Sequence, residues 1–230
     1  MNCASGWKSF SAGRKVREAL RAIAALFPET VHIVVLADSP LKTIKDLKWK
    51  RVSIDAAGSG TNAMARTVLG AFKMGEKTVV FSFENAERSL EMLQAGELDA
   101  FFFVGGAPLG VVEELAAAGK IRLIPVEGKE IDALVKNAPY LVKADIPAGT
   151  YQNMPAVPTI EVRAVWLVNA SVPNDLVYAI VRALFHPDNR ELLDSGHPKG
   201  KLIRLETARD GLPVPLHPGA AAYYDSLNQN

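Results

Sequence analysis

The sequence predicts an α/β fold built on a parallel sheet covered by helices. Three observations predict it. Short apolar, β-branched runs alternate with stretches of helical apolar spacing. The connections between them are short. Two of the strands end in glycine turns that open directly onto helices, at Gly58-Ser59-Gly60-Thr61 and at Gly105-Gly106-Ala107-Pro108.

Taken in order, residues 1–13 are polar and read as a ragged start. From Val16 to Phe27 two periods compete. Val16, Leu20, Ile23 and Phe27 fit a helix, whereas Leu20, Ala22, Ala24 and Leu26 alternate as in a strand. Pro28 is expected to end the element either way. Val31–Leu36 reads as a buried strand bounded by the Asp38-Ser39-Pro40 turn. His32 lies inside it and reads as a packed or edge residue. A short helix is expected over Thr43–Leu47, and Lys48-Trp49-Lys50-Arg51 reads as a solvated face.

Val52–Ile54 is a short buried strand that runs into the first glycine turn. Met64, Val68, Ala71 and Phe72 then mark a helix from Thr61 to about Lys73. Strand Thr78–Phe83 and helix Ala86–Gln94 follow, with Gly96 as the stop. Asp99–Val104 is a continuous apolar strand, of the kind covered on both faces. Pro108 opens helix Leu109–Ala118, Ile121–Val126 is a strand, and Ile131, Leu134 and Val135 mark a short helix. Over 137–160 four prolines and Gly149 argue against regular structure for most of the segment, and Tyr140, Tyr151 and Asn153 stand there as either packing residues or ligand contacts. Glu161–Val168 is a strand. Asn174 or Asp175 caps a helix to Phe185 with Leu176, Val177, Ile180, Val181 and Leu184 inward. Helices about Asn189–Ser195 and Ala220–Leu227 close the chain, with His186, His197 and His217 at proline turns.

Composition narrows the function. A net charge of +1 supplies no basic excess for phosphates, which argues against a nucleic-acid partner. The single cysteine, Cys3, excludes an intramolecular disulfide and a multi-cysteine metal site, and no apolar run reaches membrane-spanning length. No signal peptide is visible at Met1-Asn-Cys-Ala-Ser-Gly-Trp.

The turns carry the chemistry. A helix N-terminus has amides without internal partners and partial positive charge, so it suits a carboxylate or phosphate. Gly58 and Gly60 permit close backbone approach, and Ser59 and Thr61 add hydroxyls. The competing reading is an ordinary cap in which Ser59 or Thr61 serves its own helix. Both turns fall at the carboxyl ends of strands, where α/β sheets bind ligands. Enzyme signatures are missing. Gly58-Ser59-Gly60 lacks the Gly-x-Ser-x-Gly elbow, Thr61-Asn62 replaces the Lys-Ser/Thr of a P-loop, and Ala63 breaks a dinucleotide fingerprint. Adjacent Glu113 and Glu114 point apart on a helix. Binding without turnover, and without a cofactor or metal, is the expectation.

The runs Leu26–Val35, Ile44–Lys48, Lys50–Ile54, Gly58–Thr61, Ala100–Pro108, Ile146–Tyr151, Pro173–Tyr178 and Pro215–Gly219 resemble, in order, the TAXI family of extracytoplasmic solute receptors of TRAP transporters. Within it the chain looks most like bacterial immunogenic periplasmic antigens. The resemblance implies a two-lobed, type II periplasmic-binding-protein fold that closes on its ligand by hinge motion. Lobe one would take 1–50 and 161–230, and lobe two 51–160. It favours the strand reading of Leu20–Leu26. It implies a periplasmic receptor that hands a small, glutamate-like carboxylate to the membrane subunits of a TRAP transporter. Gly58, Ser59, Gly60 and Thr61 would hold the carboxylate, and Phe103, Gly105, Gly106 and Pro108 would form the facing wall. Members of the family begin with a signal peptide, then a strand and a glycine-rich Gly-Thr-Gly-Gly-type turn in lobe one, none of which precedes Met1 in this sequence. On that ground lobe one is expected to be incomplete and the chain N-terminally shortened. The alternatives kept beside this reading are an effector-sensing domain of a regulator and a hydrolase on the same scaffold.

Overall fold

The computed structural model describes residues 18–196 and 198–227. The expectations placed on residues 1–13, Cys3, Val16 and His197 lie outside that set. Contacts divide the chain into two compact units. Among the described residues, one unit takes Glu29–Glu161, and the other takes the segment up to Pro28 together with the segment from Val162 onward.

The Glu29–Glu161 unit holds most of a mixed sheet. Strand β1 (Leu20–Leu36) settles the ambiguous opening as a strand. It also continues through Pro28, which the sequence placed as a terminator. Pairing with β4 (Ala100–Gly105) begins at Thr30↔Gly105, so the missing Pro28 N–H removes no bond from that ladder. The expected parallel sheet is corrected to a mixed one. Strand β2 (Arg51–Ser53) runs parallel to β3 (Val80–Ser82) and β4, but β1 runs antiparallel to β4 and to β5 (Ile121–Leu123).

The helices of this unit are α1 (Gly60–Ala71), α2 (Ala86–Gln94), α3 (Gly110–Ala117) and α4 (Lys129–Asn137). Ile44–Leu47 is a 3₁₀ turn whose start is fixed by Asp46, which accepts from the Lys42 and Thr43 amides at 2.9 and 2.8 Å. Those bonds hold the Asp46 carboxyl below its ordinary range. Segment 137–160 is more regular than its prolines suggested. Strand β6 (Val142–Ile146) pairs antiparallel with β7 (Val157–Asn169). Pro147 and Pro155 fall in the loop between them. Pro158, paired with Asp145 of the terminal strand, still offers its carbonyl to the Val126 amide at 2.9 Å. The core gathers Val34, Leu93, Phe101, Leu109, Val112, Ile146 and Tyr151.

The other unit packs α5 (Asn174–Leu184) and α7 (Pro218–Leu227) together, with α6 (Arg190–Gly196) between them in sequence. Val177 and Val181 of α5 are fully buried against Ile23, Ala208, Tyr223 and Tyr224. Leu176, expected inward, is 51% exposed, because it sits a full 100° step from Val177 on the helix wheel. The α5 cap position is Pro173, with no side-chain cap bond from Asn174 or Asp175. Tyr224 donates its hydroxyl to the Ile23 carbonyl at 2.8 Å. His217 is wholly buried, and its Nδ1 accepts from the Gly219 amide at 3.2 Å, which makes it a cap.

Candidate anion site at the start of helix α1

Val52 and Ile54 are fully buried, so they anchor the strand that delivers the turn. Asp55 follows at φ 66°, and Gly58 at φ 89°. The second value explains the glycine, since a side chain there is strained whatever the space. The turn is then stitched by Asp55 Oδ1 accepting from the Ala56 amide at 2.8 Å and by the Ser59 amide donating to the Ala56 carbonyl at 3.1 Å. Asn62 closes it from the helix side, donating Nδ2–H to the Asp55 carbonyl at 3.1 Å.

Ser59 is the N-cap of α1, and its hydroxyl oxygen accepts from the Asn62 amide at 3.0 Å. That is the cap geometry weighed in the sequence. The Ala63 amide makes the first bond of the helix, to the Ser59 carbonyl at 3.1 Å. Between these lie the Gly60 and Thr61 amides, which have no acceptor within the helix. A Cβ placed on Gly60 would meet nothing within 4 Å, so the space above that backbone is open. The first turn of α1 carries no acidic side chain, which leaves the positive end of the helix dipole without a carboxylate of its own helix. Arg66, one turn on, is tied to Asn62 Oδ1 at 3.0 Å and to Glu76 at 2.9 Å.

Thr61 is 6% exposed, and its hydroxyl oxygen accepts from the Val104 amide at 3.1 Å. This bond brings the two glycine turns side by side within one unit, at the ends of β2 and β4. The rest of the second turn is pinned from β1. Thr30 donates its hydroxyl to the Gly105 carbonyl at 3.1 Å. Phe103 is half-buried against the core, and its ring lies 2.5 Å from where a Gly105 Cβ would sit, so the ring and the glycine fit one another. Gly106 is half-buried, Pro108 is exposed, and the Ala107–Pro108 bond is cis. Three surface cavities, of about 210, 350 and 410 Å³, are lined by other residues. Two residues that sequence reasoning left unassigned to the site, Asn62 and Thr30, hold these turns. Asn62 follows a turn already singled out, whereas nothing local marks Thr30.

The described histidines, His32, His186 and His217, bond to groups other than Ser59. His32 meets Thr30 and Tyr151, His186 meets the Asp188 amide at 3.3 Å, and His217 meets Gly219. Among the described residues no group of three or more His, Cys, Asp or Glu is placed to hold a metal, and no helix is long and apolar enough to cross a membrane.

The fold matches that of a TctC solute-binding protein from Polaromonas, at 16% identity and a TM-score of 0.51, covering 97% of this chain and 74% of that one. A periplasmic sulfonate-binding protein, SsuA of Methylobacillus flagellatus, matches at 14% identity and TM-score 0.47, over 92% of this chain and 63% of its own. An ancestral arginine-binding protein bound to arginine matches at 17% identity and TM-score 0.43, over 80% of this chain and 62% of its own. The match to the TctC protein, with the mixed sheet covered by helices, makes this an α/β fold of the type II periplasmic-binding-protein kind. The chain belongs to the NMT1-like family, whose profile matches residues 2–226.

Proposed function

We propose that this protein is an extracytoplasmic solute receptor that binds a small, glutamate-like carboxylate and delivers it to the membrane subunits of a TRAP-type transporter. One observation carries the reading. The Gly60 and Thr61 amides, with no helical acceptor, begin an α1 whose first turn has no acidic residue, beside open space. Two neighbouring amides match the two oxygens of a carboxylate. Gly58 and Ser59 shape that corner. Phe103, Gly105, Gly106 and Pro108, joined to it through Thr61 and Val104, supply the adjoining wall. The fold class and the NMT1-like family fit a binding role rather than turnover. The carboxylate, the TRAP partner and the TAXI-type assignment rest on the sequence resemblance, as does a periplasmic location. The accompanying lobe assignment takes 51–160 as the body of lobe two.

Calorimetric titration with glutamate and related mono- and dicarboxylates tests the reading. Saturable binding at one site per chain is the expected result. No heat with any carboxylate overturns it.

A further inference from the structure

Tyr151 stands between 147 and 156, in the loop joining β6 to β7, and is only 2% exposed. Its hydroxyl oxygen accepts from the Leu109 amide at 2.8 Å. The same oxygen lies 3.1 Å from His32 Nε2, with the rings edge-on at 6.0 Å and 83°. The direction of that second bond follows from the other end of the imidazole. His32 Nδ1 is 3.1 Å from the Thr30 carbonyl, which can only accept, so Nδ1 donates there, and in the neutral imidazole Nε2 is the acceptor. Tyr151 therefore donates to His32 and receives from Leu109. Burial also raises the Tyr151 hydroxyl above its ordinary range, so it stays protonated and keeps both roles.

These bonds converge on one loop. The turn after β4 is held at Val104 by Thr61, at Gly105 by Thr30 and at Leu109 by Tyr151. Gly106 to Pro108 lie between the last two of these positions in the chain. A buried hydroxyl satisfied on both sides is costly to misplace, because moving it leaves a donor and an acceptor unpaired. We infer that Tyr151, oriented by His32, is a positioning residue for the Gly105–Pro108 wall, fixing it beside the α1 amides before any ligand arrives. Its value to affinity is preorganisation, since a loop already in place pays no ordering entropy on binding. This inference rests on the carboxylate-receptor reading for its ligand, but not for the geometry of the loop.

The experiment pairs Tyr151→Phe, which removes only the hydroxyl, with Thr30→Val and its conservative counterpart Thr30→Ser. Glutamate affinity is measured by calorimetry, and amide exchange is measured on the ligand-free protein. Tyr151→Phe should weaken glutamate binding roughly tenfold, the scale of one lost hydrogen bond. Exchange should accelerate over 105–110 and not across the rest of the unit. Thr30→Val should do the same at Gly105, and Thr30→Ser should restore wild-type behaviour. Unchanged exchange over 105–110 in Tyr151→Phe overturns the positioning role. So does wild-type affinity in a Tyr151→Phe protein whose loop has loosened, or a uniform rise in exchange across the unit. A wild-type protein that binds no carboxylate defeats the receptor reading instead, and the exchange data then decide alone whether Tyr151 holds the loop. Should Tyr151→Phe fail to fold, the Thr30 pair reads the same loop.

Discussion

Replacing Ser59 separates the cap its turn makes from the anion binding proposed for it. Asp and Asn are both as good as Ser at an N-cap, so Ser59→Asp and Ser59→Asn should each keep the bond now accepted from the Asn62 amide at 3.0 Å. Only the Asp variant adds a negative charge, and it adds it next to the Gly60 and Thr61 amides. A guest carboxylate held there would meet the new charge at about 4 Å. At an effective dielectric of about 20 the repulsion is about 4 kcal/mol, and in bulk water it falls to about 1 kcal/mol. Ser59 is half-buried, so the affinity of the Asp variant should drop by roughly five- to a thousandfold relative to Asn. Raising the salt concentration should narrow the gap. Ser59→Ala removes the cap without adding charge. It should cost about 1 kcal/mol of stability, which lowers the melting temperature by about 2–4 °C in a chain of this size. Calorimetry with glutamate reads the first effect and thermal melting the second. Equal affinity in the Asp and Asn variants would place the guest away from α1 and refute the reasoning, and an Ala variant as stable as wild type would refute the cap.

Thr61→Val keeps the shape but removes the acceptor of the Val104 amide, and should cost about 1–2 kcal/mol in denaturant unfolding, whereas Thr61→Ser should cost less. Gly58→Ala meets no atom within 4 Å, so its penalty is the left-handed backbone alone, about 1–2 kcal/mol by the same assay. Burial in β1 raises the Glu29 carboxyl above its ordinary 4.5. A raised folded-state value means the stability it contributes is whole at acid pH and is lost as the pH climbs through the folded value. Glu29→Gln should therefore raise the melting temperature at neutral pH and give no advantage below pH ~4, read from melts across that range.

Local signals carried the regular elements well. Helix Ala86–Gln94 falls where its apolar spacing puts it, and Gly96, at φ 70°, follows just beyond its end. What the spacing could not show was decided by partners distant in the chain. Leu20–Leu26 fits two periods, and the Ala25 amide is claimed by the Ala208 carbonyl at 2.7 Å, a contact no local window contains. Strand alternation with helices argued for a parallel sheet, but it is blind to β1, which enters antiparallel with no crossover helix of its own. The prolines of 137–160 were read as a break in order, yet Pro147 and Pro155 mark the loop of a hairpin whose strands flank them. Tyr151 was open between ligand contact and packing, because its partners stand 119 and 42 residues away.

The turn at Gly58–Thr61 began as two exclusive readings, a self-serving cap or an anion site, and the bonding shows why they need not exclude one another. A cap of this kind consumes one amide, that of Asn62, and the helix consumes the next, that of Ala63. The two amides before them are spent on neither. On the proposed reading the cap serves the site rather than replacing it, because fixing Ser59 and Asn62 fixes the direction in which Gly60 and Thr61 point. Asn62 adds to this by holding the Asp55 carbonyl, and Thr61 by holding Val104. The proposed receptor role uses that arrangement directly. Rigid donors aimed at a fixed point favour a guest whose charge is already formed, while acyl transfer also needs a base at the serine, and the described histidines, His32, His186 and His217, bond to other groups. On the proposed receptor reading, the capping bonds and the two remaining amides act together, the first fixing the direction of the second toward a charge that is already formed.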